Sequence, residues 1–112
     1  MATILSVEDL QGGENATLFE GQDHGSTVSS FLVHASPGGG PGLHHHPYEE
    51  TFIVLEGSVT FTAGDETIEA GAGQIVVVPA DTAHGFVNSG DHVLRMVAIH
   101  PSDHVIQEFL EE

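Results

Sequence analysis

Turn-forming residues interrupt this chain every few positions, and the runs left between them are too short for helices of ordinary length. The runs occupy residues 17–19, 26–35, 51–55, 58–63, 67–69, 74–78, 84–88 and 92–100, and they are rich in Val, Ile, Thr and Phe. Gly, Pro, Asn, Asp and Ser cluster between them, at 11–15, 36–42, 64–66, 71–73, 79–82 and 89–91. β-Branched and aromatic side chains fit a pleated surface, while the punctuating residues supply the backbone angles of turns. About eight to ten short strands at this cadence predict an all-β sandwich or barrel. Residues 58–63 and 67–69 read as a hairpin closed by Gly64-Asp65-Glu66.

The two ends are less regular. Residues 1–10 fit either a strand or one helical turn. After Pro101, Ser102 or Asp103 can cap a helix whose apolar stripe is Val105, Ile106, Phe109 and Leu110. A short C-terminal helix is therefore expected, packed on its own barrel or a partner's. Glu111 and Glu112 oppose its dipole, which predicts a frayed last turn.

At 112 residues the chain is read as one domain, 1–112, with room for a core but not for a separate cofactor module. One Lys or Arg stands against 17 Asp and Glu, a formal charge of −16. Nucleic acid and anionic membranes are excluded as partners, because binding them depends on neutralising phosphate with Lys and Arg. The absence of cysteine removes disulfides and thiolate metal sites. With no basic leader followed by an apolar run, and no segment approaching a membrane span, the expected location is cytoplasmic.

Chemistry is concentrated in GGGPGLHHHPYEETFIVLEG, residues 38–57. Side chains alternate across an extended chain, so His44 and His46 share a face and His45 points away. Pro47 bends the chain and lets Glu50 return to the histidine face; the same parity sets aside the rival Glu49. His84 is the candidate fourth donor. Three neutral imidazoles and one carboxylate suit one divalent first-row ion, with Mn, Fe, Ni, Co, Cu and Zn all acceptable.

These residues resemble the two motifs of the cupin superfamily. Gly38, His44, His46, Glu50 and Gly57 satisfy G-x5-H-x-H-x3-E-x6-G over 38–57, and Gly73, Pro79, His84 and Asn88 fit G-x5-P-x-G-x2-H-x3-N over 73–88. Asp81 stands where the second motif has glycine, and aspartate tolerates turn geometry. The resemblance implies a small jelly-roll β-barrel with His44, His46, Glu50 and His84 as metal ligands inside its mouth, and a homodimer. It also implies a metal-dependent enzyme acting on a small organic molecule. Dioxygenase-like oxidoreductase chemistry comes first, with isomerase or lyase chemistry close by. A non-catalytic sensing or storage module is the alternative reading.

Further roles follow from position. Glu50 is the candidate catalytic base and Tyr48 a candidate proton donor. Phe52 and Phe86, two residues beyond Glu50 and His84, are candidate pocket residues together with Met96 and His100, while Phe61 and Leu94 are expected in the core. By strand parity His34, His92 and His100 fall with apolar neighbours, either lining the cavity or held as core or rim histidines. Arg95 is expected in an ion pair rather than on a substrate.

Overall fold

The turn-bounded runs fold as strands in the computed structural model, which describes residues 1–110. In chain order they are β1 (Gln11–Gly12), β2 (Ala16–Phe19), β3 (Ser29–Ala35), β4 (His44–His45), β5 (Glu50–Glu56), β6 (Ser58–Ala63), β7 (Glu66–Gly71), β8 (Ile75–Val78), β9 (His84–Asn88), β10 (Leu94–His100) and β11 (Glu108–Phe109). They form two sheets, ordered β1-β2-β3-β10-β5-β8 and β11-β4-β9-β6-β7. The pairings are antiparallel, as expected of an all-β chain joined by short turns.

Alternation within each strand decides what enters the space between the sheets. β5 sends in Phe52 and Val54, β6 Val59 and Phe61, β8 Val76 and Val78, and β10 Leu94, Met96 and Ala98. Phe52 and Phe61 meet edge to face with centroids 4.8 Å apart. Burying each large apolar side chain stabilises the fold by about 1.5–3 kcal/mol. The hairpin β6–β7 turns on Gly64-Asp65, with Gly64 at φ 59°, the positive angle a two-residue turn requires at its first central position. Gly57 joins β5 to β6 at φ 95°, and a Cβ there would lie 2.9 Å from the Val93 carbonyl oxygen.

Three expectations need correction. No α-helix forms among the described residues: residues 101–104 are bends, and beyond them β11 pairs with β4 through Glu108 opposite His45 and Phe109 opposite His44. An isolated helix this short has to overcome the cost of nucleation, whereas the exposed edge of β4 offers ready backbone partners. The expected fraying at Glu111 and Glu112 lies outside the described residues. His92 is not in the last long strand, which begins at Leu94; Asn88 Nδ2 donates to the carbonyls of Ala35 and His92 and ties 89–93 into a loop. β3 likewise starts at Ser29 rather than at 26.

Candidate metal centre

His44 opens β4 and faces His84, its cross-strand partner at the start of β9. His46 follows β4 directly, and Glu50 begins β5 in the opposite sheet, paired with Val78. All four side chains are buried, and their ligand atoms lie within 4.8 Å of one another. Asp81 holds this corner: it has φ 61°, the left-handed angle that explains glycine at this motif position, and its N–H donates to the His46 carbonyl.

The hydrogen-bond pattern tests whether these residues fit a cation. The Nδ1 atoms of His44, His46 and His84 each lie 2.8 Å from a backbone carbonyl, those of Gly42, Ile106 and Thr82. A carbonyl can only accept, so Nδ1 carries the proton and Nε2 of a neutral ring presents its lone pair to the centre. Glu50 Oε1 lies 2.8 Å from His84 Nε2 and 3.0 Å from His46 Nε2, and the latter nitrogen is buried with no aligned hydrogen-bond partner. Converging lone pairs around a carboxylate leave a cation as the missing member, and the set fits a divalent first-row ion.

Electrostatics agree. Burial pushes the Glu50 carboxyl up, but contacts from His100, His46 and His84 overcome it and hold the group well below the usual range. Burial lowers His44, aided by the neighbouring His84 and His46. Burial also opposes charge on His84, yet Glu50 and the Thr82 carbonyl raise it above 6.5. With acceptors at both nitrogens, a metal-free His84 is satisfied as an imidazolium.

Beside the centre lies a cavity of about 190 Å³, and His44 and Glu50 form part of its wall. Phe31, Val33, Phe86, Ala98 and Phe109 supply most of the rest, with Asn15 and Gln107 as polar side chains. Of the expected pocket residues, Phe86 is in this wall, whereas Phe52 and Met96 are packed in the core. His100 is fully buried behind Glu50, its Nε2 2.9 Å from Oε2. Tyr48 does not line the cavity; its hydroxyl lies 2.7 Å from His100 Nδ1, and burial raises its pKa.

The other ionisable candidates stay outside. His34 is half-buried on β3, 3.4 Å from Thr17 Oγ1; His45 pairs with Glu108; and His92 has a side chain 84% exposed. Arg95 lies 3.7 Å from Glu56 on the surface, so it makes the ion pair expected of it. The sequence reading missed Phe31 and Phe109. Phe31 shares parity with Val33 and was discoverable on that ground, but assigning the C-terminal segment as a helix hid Phe109, whose ring lies 4.9 Å from that of His44.

Two antiparallel sheets enclosing a buried site of three histidines and one glutamate define a small β-barrel protein able to hold a metal. The cupin domain family model matches residues 31–100, and the chain belongs to this family. It is 38% identical over 102 residues to the polyketide synthase CurC of Streptomyces cyaneus, covering 84% of this chain and 66% of that protein. Protein SchB of Streptomyces halstedii is 32% identical over 104 residues, 86% of this chain and 75% of its own. A Bacillus subtilis oxalate decarboxylase structure, studied for its Mn(II) centres, superposes with a TM-score of 0.80 at 25% identity, covering 90% of this chain but 29% of that one.

Proposed function

We propose that the protein is a metal-dependent enzyme acting on a small, neutral organic molecule with an oxygen-bearing end, such as a phenol or an enol. The observation that carries this is the wall of the cavity, which joins His44 and Glu50 to three phenylalanines and contains no Lys or Arg. The chain's one such residue, Arg95, is on the surface with Glu56. A carboxylate substrate would meet Glu50 in an apolar space with no cationic side chain to offset it. The likeness to a protein named as a polyketide synthase supports an oxygenated organic substrate.

His44, His46, Glu50 and His84 would hold a divalent ion, which would supply a Lewis acid or redox centre beside the cavity. Phe31, Phe86 and Phe109 grip the apolar body and exclude water. Glu50, the carboxylate in the wall, would act as base on the substrate once displaced from the ion. This reading covers dioxygenase-like and isomerase or lyase chemistry.

The test is turnover and O2 uptake by metal-loaded protein offered catechol, an enolisable diketone and oxalate. Product from the neutral compounds supports the reading. Binding without product favours the non-catalytic module, and oxalate as the preferred substrate contradicts the assignment.

A homodimer is proposed on separate grounds. Leu55, Ile75 and Val77 stand 58%, 63% and 57% exposed on the outer face of β5 and β8, an uncharged patch on a strongly acidic chain. Burying it between two copies would take this apolar surface out of water. Sedimentation should give a dimer that Ile75→Glu converts to monomer; a monomeric wild type at all concentrations contradicts it.

A further inference from the structure

The two oxygens of Glu50 face different neighbours. Oε1 is the one beside His46 and His84, at 3.0 and 2.8 Å, whereas Oε2 lies 2.9 Å from His100 Nε2. His100 is fully buried and lies outside the four-residue ligand group. Its approach to Oε2 is off the hydrogen-bond axis, so the contact is electrostatic and Nε2 has no other partner.

The proton on His100 can be placed by elimination. Nδ1 lies 2.7 Å from the Tyr48 hydroxyl oxygen, which also accepts the Ile106 N–H at 3.1 Å. Were the proton on Nδ1, the bare Nε2 would face a buried carboxylate oxygen lone pair to lone pair. The favourable arrangement puts the proton on Nε2, toward Oε2, and has Nδ1 accept from the Tyr48 O–H. A directed hydrogen-bonded chain results, from Ile106 N–H through Tyr48 to His100, whose Nε2 then meets Glu50 Oε2 in a close electrostatic contact.

We propose that His100, oriented by Tyr48, is a positioning residue that restrains Oε2 so that Glu50 offers the metal a single oxygen. Resting on the metal-binding reading above, this gives the chain a means of keeping a coordination position free for substrate. A carboxylate released from His100 can turn both oxygens to a cation and fill that position. The chain also links the centre to the C-terminal segment, since Ile106 accepts from His46 Nδ1 while donating to Tyr48.

The experiment titrates Co(II) into metal-free wild type, His100→Leu, His100→Gln and Tyr48→Phe, reading affinity and the visible absorption that reports coordination number and geometry. His100→Leu should still bind, roughly 10- to 100-fold more weakly, with an altered absorption spectrum. Tyr48→Phe should shift the spectrum the same way by less, and His100→Gln, which restores an N–H donor, should move it back. A His100→Leu spectrum identical to wild type overturns the proposal. Loss of binding as complete as in His84→Ala also overturns it, because His100 would then be a ligand. If His100→Leu does not fold, Tyr48→Phe, which removes only a hydroxyl, decides: an unchanged spectrum overturns the proposal. A wild type that takes up no Co(II) defeats the metal-binding reading itself, and the positioning role with it.

Discussion

The two ends of the barrel interior are built by the same strands at the same parity and differ only in chemistry. β10 points Leu94, Met96 and Ala98 inward and then His100; β5 points Glu50 inward and then Phe52 and Val54. Over two residues the lining changes from hydrocarbon to imidazole and carboxylate. The apolar end gains stability from every buried side chain. At the polar end an ionised carboxylate is buried, which is unfavourable unless imidazoles or a cation surround it. Substitutions at the first end should therefore register as stability, and at the second as binding.

The largest separation is expected from Phe61→Ala, at a fully buried apolar position. It should cost about 3–5 kcal/mol in chemical denaturation while the folded fraction keeps its metal stoichiometry. His84→Ala should do the reverse, weakening metal binding by more than the roughly 100-fold typical of outer residues, with a smaller change in unfolding. His45→Ala, whose ring points out to Glu108, should leave affinity unchanged; equal losses in the two variants would mean that the faces of β4 are misassigned.

Acid should act on the polar end alone. Metal must displace the proton from His84, whose pKa is raised above 6.5, so affinity should fall as pH drops through that value. Calorimetry in buffers of different ionisation enthalpy should detect proton release on binding, greatest below the raised pKa and vanishing above it. For the metal-free protein the sign reverses: the His84 contribution to stability is complete below 6.5 and is lost as pH rises through the folded-state value. Uptake without proton release at acid pH would break the comparison.

The smallest effect concerns the backbone that joins the two ends. At Asp81, φ 61°, a β-branched residue is strained, so Asp81→Val should cost about 1–3 kcal/mol and Asp81→Gly much less. Similar melting temperatures for the two variants would show that the left-handed angle is unimportant.

Strand alternation made much of this legible. It placed His44 and His46 together with His45 opposite, and the motif spacing picked out Glu50 and His84. The C-terminal segment was not legible: its apolar spacing fits a helix, and only the free edge of β4 selects the extended form. The cavity wall was legible only in part: Phe86 follows from its place two residues beyond His84 and Phe31 shares parity with Val33, but Phe109 enters only through the pairing of β11 with β4. His100 shares its parity with Met96 and Ala98, but its contact with Glu50 depends on how β10 pairs with β5.

The central claim is tested most directly by elemental analysis of wild type and His84→Ala, each purified without chelator, incubated with first-row divalent metals and desalted. The account predicts one tightly held ion per wild-type chain and almost none in the variant. A folded wild type that retains no metal, or a variant that retains as much as wild type, would contradict it.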